Sequence, residues 1–389
     1  MVFLILSASL YFDMSKSGFA ELFCRNNYLC RMNIANSIYS GKIGWERLQE
    51  AIPVYANAGI FILVDENTRK LCLPLLLEKC PVLSHAVIIE MPGNESNKTI
   101  EGVQKIWDHM VAANAVRKSL MICLGGGIIT DVGGFAAATY KRGIDFIHIP
   151  TTLLSMVDAA IGGKTGVNLN SVKNQIGVFA LPEAVFIFTE FLKTLPARQK
   201  LSGYAEMLKH AMINDESMFE KLIVLNSPEK VCEEQIVLES ASVKMQIVSK
   251  DFKETGIRKS LNFGHTIGHA IESYSQKYDP DPLLHGEAIA IGLICESFIS
   301  MRMFGFKEDD LKKMANLVNW HFPHYRFNPR PADELLALMC HDKKNTDTTK
   351  LNFSLLCKIG EPVFDQVPGE KLIRESLHFY MNLEVGFFV

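Results

Sequence analysis

The sequence contains no C-x-x-C pair. Its nine cysteines (24, 30, 72, 80, 123, 232, 295, 340 and 357) are scattered and odd in number. That excludes a zinc ribbon or a disulfide scaffold and suits buried thiols in a reducing, cytoplasmic setting. Charge of one sign is also missing: 40 Lys and Arg stand against 43 Asp and Glu, a formal net charge of −3. A broadly basic surface for nucleic acid is therefore excluded. The apolar start, Met1 to Phe12 (MVFLILSASLYF), falls short of the roughly 20 residues that a membrane span needs. No Lys or Arg precedes it and no clear small-x-small cleavage site follows, so it does not read as a signal peptide. Residues 1–33 are expected to form an extension or disordered tail, with Met14 and Met32 as later candidate starts. No membrane association is expected, and no internal repeat or low-complexity stretch occurs. The usual dinucleotide fingerprint G-x-G-x-x-G is absent. Gly163-Lys164-Thr165 imitates the end of a phosphate loop, but Asp158 stands where its first glycine belongs, which excludes an ATPase of that type.

What is present is a chain of 389 residues, 48% hydrophobic, long enough for two domains or three. Short β-branched runs alternate with helical patterns up to Leu195-Pro196. Candidate strands are Ile60–Val64, Ser84–Met91, Leu120–Leu124, Phe146–Ile149 and Val185–Phe188. Thr99–Ala115 reads as a helix with apolar positions at Ile100, Val103, Ile106, Trp107, Met110 and Val111. A further helix is expected over about Asp131–Tyr140. Beyond the Leu-Pro pair the pattern is helical, including Glu239–Lys250, His265–Ser275 and Glu287–Met303. The expected architecture is an α/β, Rossmann-like domain with a mainly parallel sheet over 34–192, then an all-α domain over 193–389 that binds metal and substrate.

Two constellations carry chemistry. The first is GGGIITDVGG (Gly125 to Gly134), glycines between a strand and a helix. Glycine lets the backbone approach a ligand, and the helix start offers free N–H groups to a pyrophosphate. Asp65 ends an early strand, where a carboxylate can accept from ribose hydroxyls. Either Asp65 or Asp131 alone would read as a helix cap; together they favour a dinucleotide. The second is Glu206 in GYAEMLKHAMI, His265 and His269 at i, i+4 in LNFGHTIGHAIE, and His285 in LLHGEAIAIG. These are ligand types for zinc or a similar divalent ion. Three of them, Glu206, His265 and His285, would leave positions open for substrate, with His269 free to touch it. Lys164, Lys209, Lys244, Arg258 and the pair Lys343-Lys344 add a cationic set suited to a phosphate plus a carboxylate.

The stretches GGGIITDVGGFAAATYKRG, IPTTLLSMVDAAIGGKTGVN, KNQIGVF, GYAEMLKHAMI, ETGIRKSLNFGHTIGHAIE and LLHGEAIAIG resemble, in order and spacing, the motifs of 3-dehydroquinate synthases, over about residues 35 to 380. The resemblance implies a homodimer that uses catalytic NAD and one divalent metal, zinc or cobalt. It implies a sugar phosphate substrate, 3-deoxy-D-arabino-heptulosonate 7-phosphate, in the shikimate pathway to aromatic amino acids. Oxidation at C5, loss of phosphate, re-reduction and aldol closure would follow. It places Glu206, His265 and His285 as metal ligands. Asp65, Asn67, Glu95, Lys98, Gly126, Gly127, Asp131, Thr151 and Thr152 match cofactor positions. Asp158, Lys164, Asn174, Lys209, Lys244, Arg258, Asn262, His269 and Lys343 or Lys344 match the substrate pocket, and Arg142 resembles an arginine lent by the neighbouring subunit. The chain departs from the pattern at Thr130, where glycine is common, at Phe252, where glutamate often stands, and after Lys344, where a usual glycine is missing. The competing readings are another sugar phosphate cyclase and a metal-dependent glycerol or alcohol dehydrogenase.

Overall fold

The computed structural model describes residues 38–169, 172–327, 331–340 and 351–383. The apolar start, Lys343 and Lys344 lie outside the described residues.

The first part begins with β1 (Ile38–Ser40) and α1 (Gly41–Ala51), then β2 (Ile60–Val64), α2 (Glu66–Leu71) and α3 (Leu73–Lys79). It continues with β3 (Val87–Glu90), α4 (Ile100–Ala112), β4 (Leu120–Gly125), α5 (Gly127–Thr139) and β5 (Asp145–Pro150). A hairpin of β6 (Lys164–Leu169) and β7 (Val172–Phe179) precedes β8 (Ala184–Ile187). Six strands form one sheet in the order β1-β8-β5-β4-β2-β3, and each pairing in it is parallel. The central strands are buried on both faces, as their continuous apolar runs require. Successive crossovers run one way from β2 to β3 and the other way from β4 to β5, so the order reverses between β2 and β4. Crevices at the carboxyl ends of such strands are where open α/β sheets bind ligands.

The second part holds α6 (Ala197–Asn214), α7 (Glu216–Leu225), α8 (Glu234–Lys250), α9 (His265–Tyr278), α10 (His285–Phe304), α11 (Glu308–His321) and α12 (Pro331–Cys340). The hairpin β9 (Phe353–Lys358) and β10 (Glu361–Gln366) and helix α13 (Glu370–Met381) complete it. This part is mostly helical rather than all-α. The exception is the hairpin, turned at Ile359-Gly360 with Gly360 at φ +82°. Its strand β9 packs on α10 with Leu355 and Leu356 fully buried. Helix α10 is buried from Gly286 through Ser300, so α6, α9, α11 and α13 wrap around it.

Expected elements recur with shifted ends. Helix α5 starts at Gly127, four residues before the expected Asp131, because its glycines serve close packing rather than a loop. A Cβ on Gly133 would stand 2.5 Å from Cys123 Sγ on β4, and one on Gly134 would stand 2.6 Å from Thr165 Cγ2 on β6. In α4 the buried positions are Val103, Ile106 and Met110, whereas Ile100 and Val111 are exposed. Among the described residues the cysteines are free thiols, Cys72, Cys80, Cys123 and Cys295 being buried. No helix among the described residues is long and apolar enough to cross a membrane.

Candidate active site

The switch point gathers most of the cofactor candidates. Asp65 follows β2 and caps α2, its Oδ1 accepting from the backbone N–H groups of Asn67 (2.8 Å) and Thr68 (2.9 Å). The capping role that a lone aspartate suggests is thus real, and it fixes the carboxylate at the strand end. β4 delivers Gly125 to Gly127, and Gly126 precedes α5 with no side-chain cap on the helix start. Thr151 N–H donates to Gly125 O at 3.0 Å. A Cβ on Gly126 would meet Thr152 Cγ2 at 3.1 Å. Lys98, only 5% exposed, donates from Nζ to Asp131 Oδ2 and Asn174 Oδ1, both at 2.6 Å. Glu95 Oε1 accepts from Asn168 Nδ2 at 2.9 Å. A helix start without a side-chain cap, beside glycines whose added Cβ would crowd Ile129 and Thr152, fits a dinucleotide phosphate.

The metal candidates converge from three helices. Glu206 on α6 is fully buried. Its Oε1 lies 3.2 Å from His285 Nε2 and 3.4 Å from His265 Nε2. The other ring nitrogens have their own partners: His265 Nδ1 is 3.1 Å from Phe263 O and His285 Nδ1 is 3.4 Å from Glu272 Oε2. With a proton on Nδ1 alone, each ring turns an Nε2 lone pair towards the same carboxylate oxygen, an arrangement relieved by a shared cation or by a second proton, which His285 takes up readily between Glu272 and Glu206. The ligating atoms of His265, His269 and His285 lie within 4.8 Å of one another. The donor set and its spacing fit a divalent ion.

Both histidine-bearing helix starts are held by buried glutamates. Glu296 on α10 accepts from the N–H groups of Gly264 (2.6 Å) and Ile267 (3.0 Å) at the start of α9. Glu287 accepts from Leu284 N–H at 2.7 Å, and Arg198 grips it through Nε at 2.7 Å and Nη2 at 2.9 Å.

Beside this lies a charge cluster. Asp158 sits in a π-helical turn, Ser155–Ala159. Its Oδ1 is 2.8 Å from Lys244 Nζ, 3.7 Å from Lys209 Nζ and 3.6 Å from His210 Nε2. Lys209, 1% exposed, also pairs with Glu206 Oε2. Burial opposes the charge of each of these groups. For Asp158, Lys244 and Lys209 outweigh burial and hold the carboxyl well below its usual range. For Glu206, Lys209 and His265 do the same. Glu206 and Asp158 raise Lys209. Lys244 is lowered, since burial and the neighbouring Lys209 together exceed the pull of Asp158. Burial with Lys209 pushes His265 down to about 3, whereas Glu272 and Glu206 overcome burial and raise His285 to about 9. Asp158, Glu206 and His210 also place ligand atoms within 4.8 Å, but Asp158 Oδ1 is already taken by Lys244 Nζ at 2.8 Å.

Most of the remaining candidates are held by other partners, although Arg258 is near enough to Asp158 and Lys244 to share their field. Arg258 is 2% exposed and spends its guanidinium on Phe252 O (2.5 Å) and Gly162 O (2.9 Å). Lys164 pairs with Glu254 Oε2, and Asn262 Nδ2 donates to Glu254 Oε1 at 2.8 Å. A carboxylate of the chain thus bridges two residues expected to face substrate. Arg142 is exposed, at φ +70° in the turn after α5, and has no ion-pair partner among the described residues. Sequence reasoning missed Lys173, His210, Glu254, Glu272, Glu287 and Glu296. His210 and Glu272 had a readable signal: they lie four residues past Glu206 and three past His269, on the same helix faces.

Comparison with known proteins decides the family. The model of the 3-dehydroquinate synthase N-terminal region matches residues 88–202, and that of the C-terminal region matches 203–345. A 3-dehydroquinate synthase of Parabacteroides distasonis is 43% identical over 335 residues, covering 86% of this chain and 94% of the relative. The chain belongs to the 3-dehydroquinate synthase family. Solved structures similar to this family member include a 2-deoxy-scyllo-inosose synthase complexed with carbaglucose-6-phosphate, NAD+ and Co2+. That protein has a TM-score of 0.73 and 27% identity, covering 88% of this chain and 96% of that one. A 2-epi-5-epi-valiolone synthase from Streptomyces hygroscopicus with NAD+ and Zn2+ bound has a TM-score of 0.76 and 25% identity, covering 89% and 97%. Identity is thus higher to the dehydroquinate synthase than to either other cyclase.

Proposed function

We propose that this chain is a phosphate-eliminating lyase converting 3-deoxy-D-arabino-heptulosonate 7-phosphate to 3-dehydroquinate and phosphate. The observation that carries the reading is the convergence of His265 Nε2 and His285 Nε2 on Glu206 Oε1 beside the Lys209–Asp158–Lys244 cluster. Family membership narrows the chemistry to this reaction. Glu206, His265 and His285 hold zinc or cobalt. Asp65, Asn67, Glu95, Lys98, Gly126, Gly127, Asp131, Thr151 and Thr152 hold NAD. The proposed division of labour puts cofactor binding in 34–192 and metal and substrate binding in 193–389, in a cytoplasmic homodimer of the shikimate pathway. Bound NAD supplies a reversible hydride acceptor, and the ion supplies a Lewis acid for sugar hydroxyls.

The chain's own groups do the rest. Lys209 and Lys244 are matched by Glu206 and Asp158, so an added divalent ion makes the pocket net positive for an anionic substrate. Lys164, Asn174, Arg258 and Lys343 or Lys344 complete the grip on phosphate and carboxylate. Arg258 also ties Gly162, at φ +104°, to the 252 segment. Asn262 orients the substrate, and Glu254 between Lys164 and Asn262 marks where an anion is welcome. His269, beside His265 with ring centroids 5.1 Å apart, is placed to pass a proton. The test is product stoichiometry. Purified protein should release many equivalents of phosphate per NAD, lose that activity to a chelator and regain it with zinc or cobalt. NADH accumulating one-for-one with substrate would instead mark a dehydrogenase.

The shared-site part of the proposal has its own check. Arg142→Ala and Lys164→Ala should each lower turnover by tens- to thousands-fold, about 2–5 kcal/mol for a lost charge-assisted contact. Co-refolded chains of the two variants should recover activity in about a quarter of sites, because half the random dimers carry one intact pocket. No recovery in tagged heterodimers would mean that Arg142 serves its own subunit.

A further inference from the structure

Glu272 lies on α9 one turn past His269 and is 5% exposed. Its two oxygens face opposite ways. Oε2 is 3.4 Å from His285 Nδ1. Oε1 accepts from Lys173 Nζ at 2.8 Å. Lys173 belongs to β7, in the hairpin of the first part of the chain. A local kink fixes its place: Asn174 has φ +51°, its N–H donates to Asn168 Oδ1 at 2.8 Å, and its Oδ1 takes the 2.6 Å bond from Lys98. The β6–β7 hairpin is therefore braced on one side by Lys98 and reaches His285 on the other through one carboxylate. None of the roles assigned above uses Lys173 or Glu272.

We infer that Glu272 and Lys173 are positioning residues for His285, so that the β6–β7 hairpin sets how tightly the chain holds its divalent ion. A carboxylate at Nδ1 keeps the proton there, orients the ring and leaves Nε2 as the ligating atom. Lys173 in turn holds the Glu272 carboxylate in the rotamer that reaches the ring. A lysine with 31% of its side chain exposed has no packing reason to cross from a hairpin to this helix. The inference rests on His285 being a metal ligand.

The experiment measures affinity for cobalt(II) alone, by competition with a chromophoric chelator, and the visible spectrum of the cobalt-loaded chain. Glu272→Gln should weaken binding about 10–100-fold, and Lys173→Met about tenfold, both with altered cobalt bands. Lys173→Arg should restore binding to within about threefold, since it keeps the charge and reach. Lys173→Met is the safeguard should Glu272→Gln fold poorly, because its side chain is partly solvated. His285→Ala separates the two levels of the claim. If it loses cobalt while Lys173→Met and Glu272→Gln hold it as wild type does, the positioning role is overturned and the ligand assignment stands. If His285→Ala also binds as wild type, the ligand assignment itself fails and the inference goes with it.

Discussion

Glu206→Gln should lose the ion, lower turnover by roughly a thousandfold or more, and cost about 3 kcal/mol of folding stability. The first two effects follow from its Oε1, which faces both histidine nitrogens; an ion at such a site contributes several kcal/mol to catalysis. The third follows from its Oε2. That oxygen pairs with Lys209, a lysine 1% exposed. Removing one partner of a buried pair leaves the other charge uncompensated, at about 3–5 kcal/mol. Asp158, 3.7 Å from Lys209 Nζ, keeps part of the compensation, which sets the lower end of that range. The double variant Glu206→Gln/Lys209→Met should therefore regain stability without regaining metal or activity. Denaturation of metal-free protein measures the stability, and elemental analysis measures the ion. A Glu206→Gln protein with stoichiometric metal and normal turnover would remove Glu206 from the site.

Gly292→Ala should be among the most damaging single-methyl changes available in the chain. An added Cβ would lie 1.9 Å from Gly264 O and 2.9 Å from Gly268 N, backbone atoms at the start of α9. No rotamer change relieves a clash with backbone, so α10 and α9 must separate. The gain in helix propensity on replacing glycine is only ~1 kcal/mol. Overpacking costs ~1–3 kcal/mol where side chains can yield, and more is expected here because they cannot. Separation also moves His265 away from His285, while ligand distances tolerate only about ±0.2 Å. The expected result is insoluble protein or soluble protein without metal. Gly369→Ala is the control: its Cβ would meet nothing within 4 Å and its φ of −65° suits any residue. If Gly292→Ala melts and binds metal like wild type, the helices are not in backbone contact there.

These two residues show what the sequence could and could not reveal. Glu206 was legible because a carboxylate among histidines is a chemical signature independent of geometry. Its second role, compensating Lys209, also left a trace in the i, i+3 spacing. The glycines beside the histidines were legible only as a pattern. That Gly264, Gly268 and Gly292 press two helices together depends on contacts between segments distant in sequence. The parallel sheet was readable from the apolar runs of β2 and β4, and β1 was missed because Ile38–Ser40 is too short to show periodicity. Both hairpins were missed too. Strand β6 begins in the glycine-rich GGKTG stretch, which invited comparison with a phosphate loop, and β9 follows a long helical region that biased the reading towards helix. Lys173, Glu272 and Glu296 went unremarked because a charged residue declares its partner only in three dimensions.

The burial of α10 from Gly286 to Ser300 has a consequence for how the chain is made. Glu206 leaves the ribosome 79 residues ahead of His285. At about 5–20 residues per second the wait is roughly 4–16 s. During that time α6 has no central helix to close on, and its apolar face remains accessible to chaperones or to other nascent chains. The ion cannot act as an early nucleus, since its three proposed ligands coexist only once α10 has emerged. Assembly of this part is therefore a late, nearly concerted event in biosynthesis, and a chain interrupted before α10 would carry most of the cationic cluster with nothing to bury it.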